Sequence, residues 1–288
     1  GSLTVKLAFF PSAKRAAVAR LFTLAGGLLL AACSQLPLPP AQQSQVWLLG
    51  EVHDNPEGHR QRFAWLQQQV MQGWRPAIAL EQFDREQQPL LDMAQRDCPD
   101  AACLLGRVAG EQQWQWSFYA PVIDLALQQR LPLLAANLSR ADAGKVMRQG
   151  YGAALDVATI KRFRLDQPPA DDLWAAQRKE IIDSHCGKLP QRMVDGMVQA
   201  QIARDVWMAQ VLSQHADRNV VLLAGNGHVR RDLGVPYWLR QRGTGESRSI
   251  GFVETDAEGE FDVSVRIAAQ PRPDPCAELA DMPLATSR

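Results

Sequence analysis

The stretch VWLLGEVHDN, residues 46–55, decides the fold class. Four apolar residues read as a buried strand, a glycine stops it, and polar residues turn the chain towards a helix. Glu51, His53 and Asp54 crowd that turn. The same pattern recurs at 76–81 (PAIALE), 132–137 (PLLAAN), 219–225 (NVVLLAG) and 249–254. Amphipathic segments such as 58–72 and 111–130 lie between these runs. Strands alternating with helices predict an α/β fold, a mostly parallel sheet flanked by helices. The last apolar stretches differ: IGFVETDAEGEFDVSVRI, residues 250–267, reads as two strands around DAEGE. That predicts an antiparallel hairpin at a sheet edge.

Between 138 and 218 no strand-like run occurs. SRADAGKVMRQG, DDLWAAQRKEIIDSH and PQRMVDGMVQAQIARDVWMAQVLSQ are helical in period, with Pro or Gly breaks between them. The expected organisation is an α/β core from 46–137 and 219–270, an inserted all-helical subdomain at 138–218, and a tail at 271–288. Of the 288 residues, 31 are Lys or Arg and 31 are Asp or Glu, so no overall field favours nucleic acid. An anionic partner would have to be met by a local cluster.

Residues 1–33 read as an export signal rather than as fold. Gly1-Ser2 reads as a tag scar; Lys6, Lys14, Arg15 and Arg20 precede the apolar run LFTLAGGLLLAA at 21–32. Twelve apolar residues are too few to span a bilayer but suit a signal h-region. Leu30-Ala31-Ala32-Cys33 is similar to a bacterial lipobox, which predicts a lipid on Cys33. Ser34 after it leans towards sorting to the outer membrane, and the Pro- and Gln-rich stretch 34–45 reads as a tether. Export implies an oxidising compartment for Cys98, Cys103, Cys186 and Cys276. Three pairings are open; Cys98 with Cys103 is the natural local pair, and Cys186 with Cys276 would then staple the tail.

Ligands of open parallel sheets bind at the carboxyl ends of the strands. Those ends deliver Gly50, Glu51, His53 and Asp54; Glu81 and Gln82; Asn137; and Gly225, Asn226, Gly227, His228 and Arg230. Glu51 or Asp54 alone would also serve as a helix cap, and His59 reads as a solvated or capping residue. The helical insert adds SHCGKLP, 184–190, where His185 and Lys188 could meet carboxylates or simply the helix dipole. QAQIARDVWMAQ places Arg204, Asp205 and Met208 on one helix face, which reads as an ion pair beside core. Only three tyrosines occur: Tyr119 in an aromatic cluster with Trp114, Trp116 and Phe118, then Tyr151 and Tyr237.

GEVHDN, ALEQF, the aromatic segment around Trp116 and Tyr119, AAN, SHCGKLP, AQIARDVWMA and AGNGHVRRDLGVP together resemble the ChaN family of iron-regulated haem-binding lipoproteins. The pieces run in unbroken order from 47 to 239. The resemblance implies haem as ligand and an outer-membrane haem receptor as partner. It also implies a homodimer formed on haem binding, anchored to the outer membrane by its lipid. It implies a tyrosine on the iron, with Tyr119 the first choice and Tyr151 the second, and His185 and Lys188 on propionates across the dimer. A phenolate suits ferric haem because it is a hard anionic ligand. The same core resembles the wider TIKI and erythromycin-esterase-like superfamily. This implies an alternative, a hydrolase or metal site built from Glu51, His53, Glu81 and His228.

Overall fold

The computed structural model describes residues 38–41, 46–110, 114–242 and 246–277. The chain divides into two units, 1–36 and 37–288. The lipobox, Cys33 and most of the tether lie outside the described residues. Within the second unit the strands are β1 (Val46–Leu49), β2 (Ala77–Asp84), β3 (Leu133–Asn137), β4 (Val220–Leu223), β5 (Ser247–Val253) and β6 (Val263–Arg266). They form one parallel sheet in the order β3-β2-β4-β1-β5-β6.

The helices are α1 (Pro56–Met71), α2 (Gln88–Asp97), α3 (Ala101–Val108), α4 (Ala120–Gln129), α5 (Arg140–Gln149), α6 (Val157–Arg162), α7 (Asp171–Ser184), α8 (Gln191–Gln214), α9 (Asn226–Val229) and α10 (Val235–Gln241). Alternation along the strands assigns the two faces. Val46, Leu48, Val220 and Leu222 point into one apolar core with Val198, Ile202, Val206 and Ala209 of α8. Trp47, Leu49, Val221 and Leu223 point into the other, with Trp65 and Leu66 of α1 and Val122 and Ile123 of α4. The stretch 138–218 is thus helical as expected, and α8 within it packs directly on the sheet. None of the helices among the described residues is long and apolar enough to cross a membrane.

One local reading changes. The end of the chain is not an antiparallel hairpin: β6 runs parallel to β5, pairing Ile250 with Val263 and Val253 with Arg266. The nine residues 254–262 carry the chain back along the sheet edge, which a tight hairpin loop would not do. The described part of the amphipathic segment 111–130 holds two elements. Trp116–Phe118 form a short 3-10 turn, and α4 starts at Ala120 with Pro121 in its first turn, where proline is favoured. Both expected disulfides are formed, Cys98–Cys103 within the α2–α3 corner and Cys186–Cys276 between the α7–α8 loop and the tail.

Candidate functional site

The crevice forms where β1 and β4 meet and their following segments diverge to opposite faces of the sheet. Gly50 is required there, since a Cβ would fall 2.1 Å from Asn226 Oδ1. Immediately after it the Glu51 carboxylate turns inward and is fully buried. His53 Nδ1 donates to its Oε1 at 2.7 Å, Tyr119 OH at 2.5 Å and Gln82 Nε2 at 3.3 Å, while Arg62 donates to Oε2. Burial opposes ionisation, yet Arg62 and then the His53 hydrogen bond hold the Glu51 pKa down at about 2. His59 accepts from Arg62 at Nδ1 (3.0 Å) and donates from Nε2 to the His53 carbonyl (2.9 Å), the pattern of a neutral ring. Burial, followed by Arg62, lowers its pKa accordingly.

A second cluster comes from β2, β4 and α8. Glu81 Oε2 accepts the Gly225 amide at 2.7 Å, and its Oε1 lies 3.4 Å from His228 Nε2. His228 Nδ1 donates to Asp205 at 2.6 Å. Burial works against a charged His228, but Glu81 and then Asp205 raise its pKa to about 10. Burial raises Asp205 to about 6, only partly offset by His228. The clusters meet at Gly225, whose absent Cβ would lie 3.0 Å from His53 Nε2 and 3.6 Å from Glu81 Oε2. With Nδ1 bound to Glu51, His53 presents Nε2 to this junction, and its side chain is 48% exposed. Burial lowers the His53 pKa, but Glu51 and Glu81 overcome this and raise it.

The strand ends therefore bring Glu51, His53, Glu81 and His228 together, as the sequence pattern expects. Individual roles shift. Asn55, not Glu51 or Asp54, caps α1 by accepting from the Glu57 and Gly58 amides, and Asp54 pairs with Arg272. His59 is buried in the network rather than solvated. Asp205 serves His228 instead of Arg204. Arg62 was not singled out from sequence; its signal is a position one turn after His59 on the same helix face. Among the described residues no three His, Cys, Asp or Glu side chains are placed to hold one metal ion.

Tyr119 belongs to the crevice as well. It is 1% exposed, its hydroxyl is committed to Glu51, and burial together with the Glu51 charge raises its pKa. A haem iron would have to break that bond and open the core to reach it. Tyr151 lies elsewhere, in a short 3-10 turn after α5, and lines a cleft of about 250 Å³ with Phe163, Leu165, Leu173, Tyr237 and Trp238. Its ring is partly buried, and burial raises its pKa. His185 ends α7, its Nδ1 donating to the Ile181 carbonyl at 2.8 Å, and Lys188 follows beyond Cys186. Both are half-buried on the loop that the Cys186–Cys276 disulfide fastens.

An open parallel α/β sheet with helices on both faces, an acid–base crevice at its carboxyl edge and an aromatic cleft among its helices place the chain in the doubly wound class of α/β proteins. The chain belongs to the family described as haem-binding uptake, Tiki superfamily, ChaN, whose family model matches residues 38–239. A solved structure of ChaN of Campylobacter jejuni with cofacial haem is 22% identical, with a TM-score of 0.61, covering 76% of this chain and 86% of that one. An erythromycin esterase mutant, EreC, in its open conformation is 16% identical over 72% of this chain and 69% of that one, TM-score 0.43. The type III effector HopBA1 is 10% identical over 78% and 88%, TM-score 0.41. None of the curated proteins matches the chain.

Proposed function

We propose that this chain is a haem carrier of an uptake system, holding ferric haem as cargo through one tyrosinate at an interface between two copies. The observation that carries the reading is membership of the haem-binding uptake family over residues 38–239. The choice of tyrosine rests on surroundings. Tyr119 does not fit a haem, for the reasons of burial and bonding given above; Tyr151, on an apolar and aromatic cleft, does. A phenolate there would supply a hard anionic ligand to Fe(III), the iron displacing the proton that burial otherwise retains. The cleft is smaller than the roughly 300–1,000 Å³ pockets that enclose a ligand. One monomer then covers part of the porphyrin and a second copy covers the rest, with His185 and Lys188 on its propionates. Cys33 supplies a lipid that tethers the carrier to the outer membrane, where a haem receptor is its partner. Titration with hemin tests the reading: a ferric-phenolate spectrum in wild type is lost in Tyr151→Phe and kept in Tyr119→Phe. A spectrum surviving Tyr151→Phe removes the tyrosine assignment.

One observation favours a second activity at the crevice: two imidazoles are each oriented by a carboxylate on Nδ1, and their clusters meet at Gly225, where His53 Nε2 faces Glu81, the neighbour of His228. Orientation by a carboxylate sets up Nε2 as a base. His53 would take a proton from water as the water oxygen bonds to an ester carbonyl carbon. It would return that proton to the leaving oxygen as the C–O bond breaks, giving acid and alcohol. Because His53 must be neutral and its pKa is raised, the rate should rise with pH to a midpoint above the usual histidine range. Hydrolysis of p-nitrophenyl butyrate at equal rates by wild type and His53→Gln would remove this reading.

A further inference from the structure

The Tyr151 cleft is bordered by cations that neither reading uses: Arg164 lines it, and Arg162 and Arg242 lie next to lining residues. Phe163 and Arg164 line the cleft, and Arg162 precedes them at the end of α6. Arg242, just past the cleft-lining Gln241, lays its guanidinium 5.5 Å above the Phe163 ring. Arg162 reaches Gln210 Oε1 at 2.9 Å. Arg242 and Arg162 are near enough that, after burial, Arg162 is the second cause lowering the Arg242 pKa. Among the described residues no carboxylate lies within ion-pair distance of Arg162, Arg164 or Arg242. The nearest acidic residue in sequence, Asp166, is taken by Lys161 at 2.6 Å, and Asp156, close enough to feel the Arg162 charge, caps α6 by accepting from the Thr159 amide at 2.6 Å.

The unsatisfied atoms here have one sign. Arg242 Nη1 is buried without an acceptor, and so is the indole Nε1 of Trp238, a residue of the cleft wall. A buried donor left unmatched, and a charged one above all, is costly. The Phe163 ring offsets part of the Arg242 charge but supplies no acceptor along the N–H bonds. Guanidinium groups beside an aromatic slot are suited to a planar ligand ending in a carboxylate, which accepts two parallel hydrogen bonds.

We infer that Arg242, with Arg162 beside it, forms a carboxylate subsite at the edge of the Tyr151 cleft, over the Phe163 ring and within a single subunit. On the haem reading, whose cargo it deepens, the group it takes is a propionate, distinct from any propionate met by His185 and Lys188 of a second copy. Nothing in the family pattern of motifs points to these arginines. They follow from two orphaned donors and an aromatic wall. The subsite favours amphipathic planar acids over their neutral esters.

The test uses the full chain with three probes: hemin, iron-free protoporphyrin IX and protoporphyrin IX dimethyl ester, followed by absorbance and porphyrin fluorescence. Wild type should bind the two dicarboxylates at least tenfold more tightly than the diester. Arg242→Met should lose at least tenfold for both dicarboxylates and nothing for the diester, with its melting temperature little changed, since the contact with the Phe163 ring is lost but a buried unmatched donor goes with it. Arg162→Gln should give a weaker loss in the same direction, and it decides the matter if Arg242→Met fails to fold. Dicarboxylate affinity unchanged in Arg242→Met and Arg162→Gln overturns the subsite while leaving the haem reading intact. Arginine-dependent binding of protoporphyrin IX without binding of hemin sinks the haem reading and upholds the subsite. Wild type that binds none of the three probes overturns both.

Discussion

The strand-end crevice and the Tyr151 cleft answer opposite needs. In the crevice the cations are matched: Arg62 by Glu51, and His228 by Asp205 and Glu81. Its unsatisfied atoms are mostly acceptors, Gln82 Oε1, Asn137 Oδ1, Asp205 Oδ2 and Asn226 Oδ1, with Arg62 Nε the exception. At the cleft the unsatisfied atoms are donors, Arg242 Nη1 and Trp238 Nε1, and the wall is aromatic. The first region suits water or another hydrogen-bond donor; on the proposed reading, the second suits an anion with a flat apolar body. Polar density alone does not distinguish the two regions; the sign of what is left unmatched does.

The contrast breaks hardest at Glu51. Glu51→Gln leaves Arg62 buried without its counter-charge, and loss of one partner from a buried pair costs about 3–5 kcal/mol. Urea denaturation should show that loss near neutral pH, while hemin binding by the folded fraction stays at wild-type affinity. The wild-type stabilisation has an acid limb. A pKa held at about 2 means the Glu51 contribution is complete above the usual carboxylate range and disappears as pH falls towards 2. Glu51→Gln should flatten that limb. A variant as stable as wild type would show that the network is not pre-formed.

Tyr119→Phe removes one charged hydrogen bond from the same carboxylate, worth about 1.5–3 kcal/mol. It should lower stability and leave any ferric-phenolate spectrum intact. Tyr151→Phe should do the reverse. If both variants lost the spectrum, the two regions would be coupled rather than separate.

His228 gives a smaller effect that appears only at alkaline pH. Its pKa is raised to about 10, so its contribution is complete below the usual histidine pKa and is lost as pH rises through 10. Stability of wild type should therefore decline between about pH 7 and 10, and His228→Gln should be flatter over that window. An equal decline in both would assign the alkaline loss to other groups.

How much of this was legible follows the physics of each feature. Strand ends are readable because an apolar run that stops at polar residues has one geometric meaning in a parallel sheet, so Glu51, His53, Glu81 and His228 could be grouped before any coordinates. Strand direction at the edge was not readable. Alternation in 250–267 is the same for a parallel or antiparallel partner, and only the length of 254–262 argues between them. The burial of Tyr119 was not readable, since an aromatic-rich segment looks alike whether it lines a ligand or seals a core. Arg62, Arg162 and Arg242 were invisible for another reason. Each is an ordinary charged residue of a helix or its end, and only the absence or presence of a carboxylate across space gives it meaning.

The smallest expected effect concerns the loop between α7 and α8. His185 uses Nδ1 for the Ile181 carbonyl, which leaves Nε2 as the nitrogen for an outside acceptor, and the disulfide to Cys276 fixes the backbone around it. A half-exposed side-chain donor meeting a propionate across an interface contributes at most about 1 kcal/mol. His185→Ala and Lys188→Ala should therefore each weaken a hemin-induced dimer about two- to fivefold, without changing the iron spectrum. Any ligand that binds the dimer better than the monomer drives association by mass action. Sedimentation at rising hemin should thus move wild type from monomer to dimer, with the variants needing more protein for the same shift. Dimerisation unaffected in the double variant would place the propionates wholly on Arg242 and Arg162. A hemin-loaded wild type that stays monomeric would mean that a single cleft suffices, and that His185 and Lys188 serve only to end their helix.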